Sequence, residues 1–292
     1  MSNFVPLEVA SRATPVGIRF WDDLTRSFVT DGLDVTVQPA NVALPPTALV
    51  ANRSGVYYAQ RIPFFPSGGL GAAGDDAYWA SIKANAQPFV VRVDDPTGRF
   101  LPFSFPAQLP AQGLVGWTCA AYTSSLSGNP LPPGVPLFSS PARVPGGAFA
   151  VIRATLWDAN ANAPAAFAAL EITLDGTLPH AWGVADAGGR VAVYFAYPEL
   201  PAPPTDGTGL VPLSQQTWTL PVTVHYKAGT FAASATYPDR CTILDQGAGT
   251  LWSDKLQSTP ITTVPITYGV ETILRSTPAA SVPKSVLLVT SA

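Results

Sequence analysis

Runs of five to eight residues in which Val, Thr, Phe and Tyr alternate with small or polar side chains recur along the chain. Period-two alternation of this kind predicts strands buried on one face. The expected strands are Val16 to Trp21, Leu33 to Val37, Pro88 to Val93, Arg99 to Phe105, Phe149 to Trp157, Ala168 to Leu174, Trp182 to Val184, Arg190 to Tyr197, Trp218 to Tyr226, Thr230 to Tyr237, Thr262 to Tyr268, Glu271 to Arg275 and Val286 to Thr290. No long run places apolar residues at i, i+3, i+4 and i+7. The 31 prolines and 24 glycines punctuate helix interiors and central strands alike. The pattern predicts an all-β chain.

One strand–turn–strand unit occurs twice. Ile18-Arg19-Phe20-Trp21-Asp22, Leu33 to Val37 and the turn Asn52-Arg53-Ser54-Gly55 match Ala154 to Asp158, Leu170 to Leu174 and Asp186-Ala187-Gly188-Gly189. Farther on, Val91-Arg92-Val93 with Gly98 matches Val222-Thr223-Val224 with Gly229 in type and spacing. Two tandem antiparallel β-sandwich domains with long Pro/Gly-rich loops are therefore expected. They follow an extended arm at 1–15 and run over 16–140 and 141–292. A proline-rich link at 130–147 is expected to join them as a semi-stiff connector. The 63–87 segment is the first long irregular stretch.

Charged residues make up only 12% of the chain, against roughly 25% in an average soluble domain. Such a surface suits a subunit of an assembly or a secreted protein. The net charge of −3 offers no basic footprint, so nucleic acid is not an expected partner. No apolar stretch approaches the roughly 20 residues that span a bilayer, so no membrane insertion is expected. The first residues lack a charged region followed by an apolar one, which predicts cytoplasmic synthesis without a signal peptide. Cys119 and Cys241 fall in different expected domains and are read as buried free thiols rather than a disulfide.

Candidate chemistry is sparse. His180 and His225 have no Cys, Asp or Glu at metal-ligand spacing, and no nucleophile elbow, phosphate loop or HExxH helix is present. Neither an enzyme nor a cofactor is expected. Asp75-Asp76, in the glycine-rich loop, is the first place to look for calcium. The Trp21-Asp22 and Trp157-Asp158 pairs occupy matching strand ends with no titratable partner in view, and read as scaffold corners. Interaction is expected instead at Tyr78, Trp79, Trp117 and Trp252, and at the apolar run Val286-Leu287-Leu288-Val289. An uncovered strand of that composition would aggregate, so something must pair with it. Tyr78 and Trp79 are also where a glycan would stack.

On Phe20-Trp21-Asp22 with Asn52 to Gly55, and Leu156-Trp157-Asp158 with Asp186 to Gly189, both halves resemble the carboxypeptidase-regulatory-like, transthyretin-like β-sandwich. That fold implies packing or docking rather than an activity. Over its length the chain is also similar to uncharacterised proteins encoded with phage-tail-like contractile injection systems. This second resemblance rests on Gly17 to Asp22, Asp95 to Phe103 and Gln215 to Thr219. It implies a non-enzymatic structural or accessory subunit with protein partners, assembled in the cytoplasm into a particle that is afterwards released. The alternative is a surface-binding adhesion module for glycan or protein.

Overall fold

The computed structural model describes residues 14–59, 61–63, 65, 86–111, 113–116, 119, 132–146, 149–175, 178–199, 212–231, 235–254, 256–276 and 286–291. The fold is all-β. In the first half the strands are β1 (Gly17–Ile18), β2 (Phe20–Asp22), β3 (Ser27–Val29), β4 (Asp34–Pro39), β5 (Thr47–Ala48), β6 (Val50–Ala51), β7 (Tyr57–Tyr58), β8 (Gln87–Asp94), β9 (Phe103–Leu109) and β10 (Val135–Pro136). They form three sheets, ordered β1-β7-β6, β10-β2-β3 and β5-β4-β8-β9. Ile18, Phe20, Val35, Val91, Phe103 and Leu109 meet in one buried core. Alternation along β4, β8 and β9 supplies the inward face.

The second half comprises β11 (Phe149–Asp158), β12 (Ala163–Pro164), β13 (Ala169–Asp175), β14 (Leu178–Val184), β15 (Arg190–Ala196), β16 (Thr217–His225), β17 (Ala248–Trp252), β18 (Thr263–Thr267), β19 (Thr272–Ile273) and β20 (Leu287–Thr290). Its ten strands form one sheet, with seven in the order β12-β11-β20-β17-β16-β13-β14 and three branching from it, β15 and β19 on β11 and β18 on β16. A second core of Ile152, Leu156, Leu170, Ile172, Val193, Val222 and Leu287 fills it. At Gly183 of β14 a side chain would sit 2.2 Å from the Ala192 carbonyl of β15, so glycine lets these two strands approach.

The repeat seen in the sequence is a repeat of pairings. Trp21 faces Phe28 and Asp22 faces Ser27, as Trp157 faces Pro164 and Asp158 faces Ala163. Gly17 and Ile18 pair with Tyr58 and Tyr57, as Arg153 and Ala154 pair with Ala192 and Val191. β4 pairs with β8 as β13 pairs with β16, but Val93 meets Val35 while its counterpart Val224 meets Leu170, a register shifted by two residues from the sequence match. Each half also closes with a strand parallel to its opening one: Val135 lies against Phe20, and Leu287 against Leu156. The expected link at 130–147 thus contains β10, a strand of the first half.

The turns repeat atom for atom. Asn52 Oδ1 accepts from the Ser54 and Val56 amides, and Asp186 Oδ1 from those of Gly188 and Arg190. Gly55 and Gly189 both take positive φ, at 71° and 77°. Arg26 and Asn162, four residues past the two tryptophan-linked aspartates, share a φ of 51°.

Of the expected strand Thr230 to Tyr237, the described residues lie outside any strand. The reason is competition for edges. β16 already has β13 on one side and β17 and β18 on the other. In the first half the matching turn is held by Asp95, whose carboxylate accepts from Thr97, Arg99 and Phe100. The second half has Tyr226 at that position and cannot make that turn. The chain leaves the repeat there, crosses to the first half and forms a short helix, Arg240–Leu244.

Candidate functional site

Two segments in which the halves differ meet at the junction between them. Between β9 and β10 the first half carries an excursion that includes Cys119. Between β16 and β18 the second half carries one that includes the helix and β17. Cys119 and Cys241 form a disulfide, with Cα atoms 5.1 Å apart and a separation of 122 positions in sequence. This corrects the expectation of free thiols. The two cysteines do belong to different halves, but the excursions bring them together.

Hydrogen bonds flank the disulfide. The Ser104 amide donates to the Pro238 carbonyl (2.9 Å), and the Ser104 hydroxyl donates to that of Tyr237 (3.1 Å). Asp239 caps the helix by accepting from the amide and hydroxyl of Thr242, both at 2.8 Å. This sets Arg240, 2% exposed, into the first half. Its guanidinium donates to the Pro136 carbonyl and lies 4.4 Å from the Phe138 ring centre and 5.5 Å from that of Phe103. Ring faces carry partial negative charge, so burial there suits a cation. Leu101 and Phe138 of the first half pack with Phe167, Val184 and Ile243 of the second.

The link is pinned as firmly. Tyr194 donates its hydroxyl to the Ser140 and Arg143 carbonyls, at 3.0 and 2.8 Å. Arg153 reaches the Pro141 and Arg143 carbonyls and pairs with Glu271 at 2.9 Å. Arg143 itself turns back onto Asp22 in the first half, with contacts of 2.9 and 2.6 Å. The corner aspartates therefore do have titratable partners, which corrects the reading of them as isolated. Asp158 accepts from the Tyr226 hydroxyl at 2.7 Å and from two turn amides. Burial opposes the charge on Asp22. The hydrogen bonds and charge of Arg143 more than offset it, leaving the carboxyl below its usual range. Asp158 is held low in the same sense, burial being offset by the Ala161 amide, Tyr226 and the Asn160 amide.

A second polar cluster lies on the outer face of β13, β14 and β16. Glu171 holds His180 Nδ1 at 2.5 Å with one carboxylate oxygen and His225 Nε2 at 2.7 Å with the other. The Trp182 ring lies against His225, with centres 4.7 Å apart. The strand register causes this, because Glu171 faces Trp182 on one side and Thr223 on the other, one diagonal step from each histidine. No carboxylate stands at ligand spacing in sequence, so only cross-strand pairing reveals the trio. Both oxygens are turned to different rings. Among the described residues no three His, Cys, Asp or Glu side chains converge as a metal-ligand set.

Of the residues singled out for interaction, Tyr78, Trp79 and Trp117 lie outside the described residues, as do Asp75 and Asp76. Trp252 is on β17 and donates its indole N–H to Thr290 Oγ1 at 3.0 Å. Val286 is half-buried, and Leu287, Leu288 and Val289 are buried in β20. That strand runs parallel to β11 and antiparallel to β17. Its covering partner is the chain itself, and neither edge is left for another subunit. No protein-family model, curated protein or solved structure matches this chain.

Proposed function

We propose that the chain is a non-enzymatic structural or accessory subunit of a phage-tail-like contractile injection particle, built as two tandem β-sandwiches. The observation that carries this reading is the junction. Two excursions from a duplicated scaffold are spent on joining its halves, through a disulfide, a buried arginine and a link whose carbonyls are held from both sides. Such a joint suits a part that must keep its shape under load. The low charge and the sequence resemblance support an assembled setting. With β20 internal, docking falls to the outer strands and loops. β6 is one such edge, where Val50 is 64% exposed.

The disulfide fits a particle that leaves the cell, because a reducing cytoplasm keeps such a pair as thiols and an oxidising medium closes it. The test is to purify contractile particles from the source organism and quantify this chain in them by mass spectrometry, then delete its gene. Stoichiometric presence and loss of assembly are the expected results. A monomeric chain absent from intact particles overturns the proposal.

A further inference from the structure

Beside the link, a cleft of about 370 Å³ opens between Ser140–Ala142, the middle of β11, the Asp186 turn and the stretch after β19. That volume lies within the range of small-molecule sites. Three arginines line it, Arg153, Arg190 and Arg275, against one lining carboxylate, Asp186. In a chain with net charge −3 this is a local reversal of sign.

The three guanidinium groups differ in what they have left to offer. Arg153 is committed to Glu271 and to the link carbonyls, so it contributes charge and a fixed wall. Arg190 is held by Asp186 through Nε and Nη2, at 2.8 and 2.7 Å, and its side chain is 72% exposed. Arg275 is exposed and has no acidic partner among the described residues. Ala142, Ala154, Val191 and Leu274 supply an apolar lining, and Ser140 and Thr155 supply hydroxyls.

We infer that this cleft is a binding site for a small ligand bearing an oxyanion, with Arg275 and Arg190 as the groups that grip it. Guanidinium recognises carboxylate and phosphate oxygens through paired N–H donors, and a planar fork already oriented by Asp186 loses little freedom on binding. The apolar lining would take the body of the ligand. Carboxylate and phosphate esters share this chemistry, so both are probed.

The experiment titrates the full-length, disulfide-bonded chain with sodium glucuronate and, separately, with inorganic phosphate and glucose 6-phosphate, following backbone amide shifts by NMR. Saturable shifts at Ala154, Thr155 and Arg190 are expected, weakened at least tenfold in Arg275→Gln and in Arg275→Gln/Arg190→Gln. Arg99→Gln, remote on the Asp95 turn, should bind as the parent does. A response to glucuronate alone assigns a carboxylated ligand, and one to the phosphates alone assigns a phosphorylated one. Arg275→Gln sits at the surface and leaves the fold intact, which its amide spectrum verifies. No saturable shift with any probe, or equal affinity in Arg275→Gln, overturns the inference.

Discussion

Arg143 donates from its two terminal nitrogens to both carboxylate oxygens of Asp22, at 2.9 and 2.6 Å, across 121 residues of sequence. Both side chains are nearly buried, at 11% and 6% exposure. Asp22 also starts the corner turn, accepting from the Leu24 amide and the Thr25 hydroxyl. One carboxylate thus shapes a turn in the first half and anchors the link to the second. Removing only the arginine leaves a buried charge without its counter-ion, which typically costs about 3–5 kcal/mol. Arg143→Ala should lose about that much in chemical denaturation. Asp22→Asn/Arg143→Ala should lose clearly less than the sum of the single changes. Additive losses would mean that the pair is not coupled.

Acid should unfold the chain through three aspartates. For Asp22, Asp95 and Asp158 burial raises the pKa, but hydrogen bonds, joined by the charge of Arg143 at Asp22 and of Arg99 at Asp95, outweigh it and each ends below its ordinary value. The unfolded chain, with carboxyls near pH 3.9, then binds these protons more readily than the folded one does. Their stabilisation is complete above pH about 4 and drains away as pH falls through the lower folded values. At the alkaline end the sign reverses for Tyr226. Its pKa is raised, chiefly by burial and by its bond to Asp158, so its contribution is lost as pH rises above about 10. Denaturation midpoints measured from pH 2 to 11 should be flat in the middle and fall at both ends. Asp158→Asn should blunt both falls.

Opening the Cys119–Cys241 disulfide frees a loop of 122 residues in the unfolded chain. Loop-closure entropy for that length puts the loss at about 3–5 kcal/mol. Cys241→Ser should lower the melting temperature in oxidising buffer and match the parent in reducing buffer. Peptide mapping without reductant should recover residues 119 and 241 in one cross-linked species. Separate free-thiol peptides from the protein purified in oxidising buffer would refute the bond.

The strands and the duplication were readable because they rest on local signals, alternation and the glycine turns at Gly55 and Gly189. The junction was not readable. Its parts, Cys119, Arg143, Tyr194 and Arg240, are scattered over 122 residues and bear no local mark of their partners. The missing strand at Thr230 to Tyr237 shows the limit of pattern alone. The alternation is present, but β16 has no edge free to receive it. Val286 to Val289 reads in the sequence as a strand that adds to a partner's sheet, and the structure pairs it within the chain instead. Only the topology could say that the cover is β11 and β17 rather than another subunit.

Two glycines with nearly the same backbone conformation should respond differently to a methyl group. Gly189 has φ 77°, and a Cβ there would sit 2.3 Å from the Leu156 carbonyl oxygen. Gly229 has φ 71°, with nothing within 4 Å. The left-handed conformation alone costs an alanine about 1–2 kcal/mol. Gly229→Ala should lose about that much. Gly189→Ala must also push β11 away from its turn, and should lose several times more or fail to fold. Equal losses, measured by denaturation, would place Gly189 in a roomier turn than the one described.

Glu171 offers the last test, and one that does not depend on any partner. An ionised carboxylate only accepts hydrogen bonds, so the ring nitrogens facing it must both carry hydrogen. His180 is then fixed with its proton on Nδ1, and His225 with its proton on Nε2. Opposite tautomers selected by one carboxylate are separable by long-range proton–nitrogen correlation, which reads the ring nitrogens directly. Glu171→Leu should release that selection and move both rings toward the mixture found in free imidazole. It should also cost about 1–3 kcal/mol, since it leaves the half-buried N–H of His225 without an acceptor. Glu171→Gln keeps one acceptor oxygen and puts an amide donor in place of the other. It should preserve the tautomer of one histidine and switch the other ring nitrogen to an acceptor, which would identify the stronger of the two bonds. If both tautomers survive in Glu171→Leu, some other group fixes them and the carboxylate is incidental.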